Sequence, residues 1–230
     1  MSRLYPQVKK VVSPNSKNVT PKIKGRNSIV LVVCLVIAFF GLLYLLIGAF
    51  NQPPSHYSVK FTTTKGVFIV DIDNGLSPHG ADRLYRLVQA KYFDNSAFFR
   101  VVPHFICQFG IAATPAQTAM WIRKYIPDDP IMQNNAKGTV VFATAGPNYR
   151  STQLFINLKD NYDLDARGFS PLGHVASGMD VVNNLYGGYG DITIKGGHGP
   201  NMDDFIDQGN AYLKNSFPKL DYIISATIVR

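Results

Sequence analysis

Ala97–Gly110, AFFRVVPHFICQFG, reads as a strand, a Pro-His corner and a second strand. In its first half Phe98, Arg100 and Val102 alternate with Phe99 and Val101, and a period of two puts those sets on opposite faces of a sheet. One arginine therefore stands on a face otherwise made of Phe and Val. A guanidinium keeps its charge, and burying it unpaired is costly. Arg100 is expected at a rim or in a groove, aimed at a partner. Pro103 and His104 break the strand, and Phe105, Ile106 and Gln108 follow the corner.

Outward from this stretch, charge separates the chain into parts. The formal net charge is +8 over 230 residues. Residues 1–50 hold Arg3, Lys9, Lys10, Lys17, Lys22, Lys24 and Arg26 and no acid, so the remainder is close to neutral. A nucleic-acid reader needs its basic face on the folded part, so that class is excluded. Residues 1–28, punctuated by Pro6, Pro14 and Pro21, read as a disordered basic tail. Residues 29–50, IVLVVCLVIAFFGLLYLLIGAF, carry no charge, and about 20 apolar residues suffice to cross a bilayer. They read as an uncleaved transmembrane signal-anchor. The preceding positive charges then hold the N-terminus in the cytoplasm. That reading gives a single-pass type II membrane protein with its folded part in the ER or Golgi lumen, or in the periplasm of a bacterium. Residues 51–56, NQPPSH, form a short linker, and residues 57–230 the folded domain.

Within that domain, residues 57–64 and 66–72 read as a strand pair. Ser77-Pro78 opens a helix with Leu84, Leu87 and Val88 as its apolar stripe, Ser77 being the cap. Residues 111–137 lack alternation, and Asp128-Asp129 reads as part of a solvated loop rather than a metal site. Residues 138–145 and 152–157 are strands, 178–186 a short helix, and Asn210–Phe217 a further helical turn. Gly187–Gly199 is glycine-rich but does not follow a strand and open a helix, as a phosphate-binding turn would. Residues 222–229, YIISATIV, make a closing strand able to pair with the first one. Cys34 and Cys107 lie on opposite sides of the expected membrane boundary, so no disulfide is expected. Cys107 reads as a small buried hydrophobe. The five histidines show no metal-ligand spacing.

Ala97–Gly110 resembles the signature of the cyclophilin family of peptidyl-prolyl isomerases, commonly F-H-R-V-I-x-x-F-M-x-Q-G-G. Arg100, Phe105 and Gln108 keep its Arg, Phe and Gln; Ile106 replaces the Met, His104 a frequent Gly, and Phe109 the first of two Gly. Residues 138–156, GTVVFATAGPNYRSTQLFI, resemble G-x-x-x-M-A-N-A-G-x-x-x-x-x-S-Q-F-F-I without a gap. Ala143 and Thr144 fall on the Ala-Asn pair that binds substrate backbone, and Phe155 on the Phe that floors the proline pocket. Leu164-Asp165 and GFSPLGHV (168–175) are similar to L-D-x-x-x-x-x-x-F-G-x-V, with Leu164 on a pocket Leu. Asp163 stands where many members have Trp, and Phe169 where they have His. These departures weaken the expectation of tight cyclosporin binding.

The resemblance covers residues 57–230. It implies a mostly β fold: a closed eight-stranded antiparallel barrel with two capping helices, here preceded by the transmembrane helix. It implies a prolyl isomerase acting on proline-containing polypeptides, here secretory or membrane clients, with no cofactor and no metal. Arg100 is the expected catalytic group. Phe105, Ile106, Gln108, Ala143, Thr144, Phe155, Leu164 and Phe169 are the expected substrate-binding set. The alternative is a catalytically weak module that binds proline-containing segments as a membrane-tethered scaffold.

Overall fold

The computed structural model describes residues 26–50 and 52–229. The chain divides into two units, Met1–Asn51 and Gln52–Arg230. In the first, α1 (Arg26–Phe50) is a single helix. Most of the expected basic tail lies outside the described residues.

The membrane anchor expected over residues 29–50 is corrected. Among the described residues no helix is long and apolar enough to cross a membrane. The lipid-bilayer partner, the signal-anchor, the type II topology and the tethered-scaffold alternative go with it. Secretory or membrane clients lose their basis too.

In the second unit a hairpin comes first. β1 (His56–Thr63) and β2 (Gly66–Asp73) pair antiparallel from His56–Asp73 to Thr63–Gly66. Their alternate residues Val59, Phe61, Phe68, Val70 and Ile72 enter the main core. α2 (Pro78–Gln89) lays Leu84, Leu87 and Val88 on them, the stripe expected from the sequence. β3 (Arg100–Val102), β4 (Ile106–Phe109), β5 (Thr139–Phe142), β6 (Leu154–Asn157), β7 (Pro171–Ser177) and β8 (Ile223–Val229) complete one antiparallel sheet. Its order is β3-β4-β6-β5-β7-β2-β1-β8. α3 (Pro115–Trp121) lies in the long segment between β4 and β5, and the short α4 (Met179–Asn183) follows β7. α5 (Met202–Gln208), which the sequence did not announce, and α6 (Asn210–Ser216) build a second cluster with Ala97, Phe99 and Leu220.

The closed barrel is corrected as well. β8 does pair with β1, but β3 and β8 remain the two ends of an open, curled sheet. Among the described residues they meet through one isolated bridge, Ala97–Tyr222. Two backbone bonds flank it, Phe98 N–H to Asp221 O (2.9 Å) and Ile223 N–H to Ser96 O (2.8 Å). β3 has only three residues, too few for a ladder along β8.

The parity of the opening stretch also shifts. Phe98 and Val101 both enter the main core, while Phe99 enters the second cluster. Two consecutive residues, Phe99 and Arg100, thus face away from the main core, and the period of two holds only from Arg100 onward. Phe109 joins the core, edge-to-face with Phe98, Phe61 and Phe93 at centroid distances of 5.4, 5.7 and 5.7 Å. Gly110 has φ +105, and a Cβ there would overlap the Thr152 carbonyl. Gly110→Ala is expected to lower stability by about 2–3 kcal/mol, from backbone strain plus a forced shift of a core strand. Chemical denaturation reads this directly, and a loss under about 0.5 kcal/mol, the range of an ordinary surface change, would refute the clash.

Candidate active site

Alternation on three neighbouring strands builds one face of the site. On β4, Cys107 and Phe109 enter the core while Ile106 and Gln108 face outward. On β5 and β6, Val141 and Phe155 do the same. Ile106, Val141, Phe155 and Leu164 form an apolar floor, with Phe105, Ala143 and Phe169 packed against it. Phe169 meets Phe155 edge-to-face at 5.6 Å, so an aromatic wall stands where the family pattern often has His. A cavity of about 220 Å³ opens over this floor, bordered by Arg100, Gln108, Thr144, Arg167, Ile192 and Lys195.

All nine residues expected at the site line this cavity. Arg100 stands at its rim with its guanidinium 5.8 Å from the Phe105 ring centroid. Nη1 donates to Gln108 Oε1 at 2.9 Å, and Gln108 Nε2 donates to Gln153 Oε1 at 2.8 Å. The Ala143 N–H donates to the Gln153 carbonyl (2.9 Å). The Thr144 hydroxyl donates to the Gly146 carbonyl, inside the turn after β5. Thr144 thus lines the groove with its hydroxyl engaged in the loop.

Sequence reasoning missed the groups that hold these walls. Asp191 pairs with Arg100 through two bonds, Nε to Oδ1 at 2.7 Å and Nη2 to Oδ2 at 3.0 Å. Behind the floor lies a buried amide network. Asn161 Nδ2 donates to the Phe105 carbonyl (3.0 Å) and to Asn157 Oδ1 (2.8 Å). Asn157 Nδ2 donates to Thr139 Oγ1 and Asn135 Oδ1, and Asn135 Nδ2 to Asp165 Oδ1 and the Phe169 carbonyl. This network fixes the 3₁₀ helix Tyr162–Arg167 that carries Leu164. The only hint in the sequence was the Asn at the end of the TQLFIN strand.

Of Asp128-Asp129, expected in a solvated loop, Asp128 is exposed but Asp129 is corrected. Asp129 is buried and accepts from Ser77 Oγ (2.5 Å), His79 N (3.0 Å), Gly80 N (2.9 Å) and Arg150 Nη1 (3.0 Å). It, rather than Ser77, satisfies the first N–H groups of α2. Burial pushes its carboxyl up. The bonds from Ser77, His79 and Gly80 and the Arg150 charge outweigh this and hold it below the ordinary carboxylate value. Cys107 is fully buried, which pushes its thiol up to about 12 and removes it as a nucleophile.

A larger hollow, about 970 Å³, opens on the outer face of β1, β2 and β7. Along it Ser58 Oγ donates to Asp71 (2.6 Å), and His56 lies 3.6 Å from Asp73. It brings no cation over an apolar floor, so the smaller groove is the candidate site on chemistry.

Known proteins agree with this architecture. The family model for cyclophilin-type peptidyl-prolyl cis-trans isomerase/CLD matches residues 58–199. The chain is 28% identical over 130 residues to a peptidyl-prolyl cis-trans isomerase-like 1 of Aspergillus niger, covering 55% of this chain and 80% of the relative. It is 28% identical over 132 residues to a peptidyl-prolyl cis-trans isomerase of Acinetobacter baylyi, covering 55% and 70%. A crystal structure of a Cryptosporidium parvum cyclophilin-type isomerase superposes with TM-score 0.55 at 16% identity, over 76% of this chain and 98% of that one, which speaks to the fold. The chain belongs to the cyclophilin-type peptidyl-prolyl cis-trans isomerase family and is an enzyme of that class.

Proposed function

We propose that the groove accelerates cis–trans isomerisation of X-Pro bonds in polypeptide clients, with Arg100 as the catalytic group. The observation that carries this is a permanent cation at the rim of an apolar floor. The reaction breaks no bond. Resonance sets a rotation barrier of about 18–20 kcal/mol, and X-Pro isomers interchange in tens to hundreds of seconds without help. Twisting the amide frees the prolyl nitrogen lone pair, which becomes a better acceptor. Arg100 uses three of its five N–H groups on Asp191 and Gln108. The remaining two are available to that nitrogen. An interaction that grows as the amide twists lowers the barrier rather than deepening substrate binding.

Phe105, Ile106, Phe155, Leu164 and Phe169 hold the proline ring. Gln108 and the backbone at Ala143 and Thr144 hold the residues before it. The test is exchange NMR on a short Ala-Pro peptide with the full chain, beside Phe155→Ala. The wild type accelerates exchange. Truncating Phe155, which removes roughly 3 kcal/mol of buried aromatic contact, raises KM by more than tenfold. No acceleration by the wild type, or a KM unmoved by Phe155→Ala, overturns the reading.

A further inference from the structure

We infer that Asp191 is a positioning residue for Arg100, and that the glycine-rich segment Gly187–Gly199 exists to hold its carboxylate there. This rests on the assignment of Arg100 above. The pair joins residues 91 positions apart and is mostly shielded, the side chains being 13% and 27% exposed. Asp191 grips Nε and Nη2, the edge of the guanidinium fork, while Gln108 takes Nη1. Together they fix the plane of the fork against the Phe105 ring. A free arginine side chain samples many rotamers, and a bidentate carboxylate removes that freedom before substrate arrives.

The loop is built for this. Ile192, the next residue, packs in the second core cluster with Phe99, the residue before Arg100. Both partners are thus pinned by neighbours in one apolar cluster. The Ile192 N–H donates to Asp191 Oδ1 at 2.8 Å, orienting the carboxylate. The Asp191 carbonyl accepts from Gly199 N at 2.8 Å, and Ile192 bridges Gly199. A Cβ at Gly197 would overlap the Asp191 carbonyl, and one at Gly199 would come within 2.8 Å of it. The absence of side chains at 197 and 199 lets the segment fold back on Asp191.

The experiment uses the full chain and exchange NMR on the Ala-Pro peptide, with Asp191→Ala and the isosteric Asp191→Asn. Asp191→Ala is expected to lower kcat about tenfold and Asp191→Asn about threefold, with peptide Kd within twofold of wild type. The Arg100 Nε–H resonance is expected to leave its position in both. A merely structural carboxylate would lower the melting temperature and leave kcat and the kcat-to-Kd split unmoved. The inference fails on its own when Arg100→Ala is inactive but Asp191→Ala keeps wild-type kcat, exceeds it, or weakens Kd in step with kcat. When Arg100→Ala itself keeps wild-type activity, the assignment of Arg100 is what fails, and this inference falls with it.

Discussion

Arg100→Ala is expected to reduce kcat for X-Pro exchange about 10²-fold while the peptide still binds. One oriented donor aimed at a charge or lone pair that develops in the transition state is worth roughly 10²–10³ in rate, and 10²-fold corresponds to about 2.7 kcal/mol of barrier. The ground-state amide nitrogen is a poor acceptor because its lone pair is delocalised, so the donor contributes little until the bond twists. Binding is expected to rest on the apolar floor of Ile106, Val141, Phe155 and Leu164, a buried cluster that does not include Arg100. Arg100→Lys is expected to behave like Ala, because an ammonium cannot engage Asp191 and Gln108 in one plane and still present two donors. The measurement is NMR exchange at saturating peptide, with Kd from titration of the same sample. Loss of binding in step with catalysis would show that Arg100 anchors the ground state instead.

Much of this groove was legible in the sequence because its wall-forming residues are local. Ile106 and Gln108 on one strand, and Phe155 between Leu154 and Ile156 on another, follow the period of two. The odd cation among Phe and Val marked the rim. The elements that failed are those decided at a distance. Nothing near Arg100 in the chain names Asp191. Nothing near Ser77 names Asp129, 52 residues away, which satisfies its helix. A carboxylate in a polar, proline-rich segment looks solvated until tertiary structure buries it. Closure was misread for a related reason: the pairing of β8 with β1 follows from two apolar strands, but whether the ends meet depends on the length of β3. The span over residues 29–50 rests on apolar composition alone, and among the described residues no helix is long and apolar enough to cross a membrane.

His104 carries a different lesson. It occupies the corner position where the family pattern often has Gly, and its φ is +59. A non-glycine residue there pays roughly 1–2 kcal/mol of backbone strain. The strained corner sits between Arg100 and Phe105, so it sets how the cation on β3 meets the aromatic ring at the head of β4. The sequence marked the substitution; the backbone gives it a consequence for the site.

Asp129→Ala is expected to destabilise the fold by about 3–5 kcal/mol, the cost of removing one partner from a buried ion pair. The Arg150 side chain is 2% exposed and would keep its charge with only the Pro127 carbonyl and, at 3.3 Å, Asp128 beside it. The N–H groups of His79 and Gly80 would lose their acceptor at the start of α2, where the helix dipole also favours negative charge. For a domain of this size the melting temperature should fall on the order of 10 °C. Asp129→Asn keeps the shape and separates charge from packing. Because the native carboxyl is held below its ordinary value, its stabilisation is fully present above about pH 4, the unfolded-state value. It is lost as pH falls through the lower native value. The stability gap between wild type and Asp129→Asn, followed by urea unfolding from pH 6 to pH 2, should therefore be widest at pH 6 and close toward pH 2. A gap that stays constant over that range would mean that shape and hydrogen-bond count, not charge, make Asp129 the anchor of α2. The groove should feel the loss as well. Asp129 ties residues 127–130 to α2, and Ser170 Oγ donates to the Pro130 carbonyl at 2.7 Å next to Phe169. Loosening this segment frees the aromatic wall, so KM should rise in Asp129→Ala at temperatures where the fold is still intact.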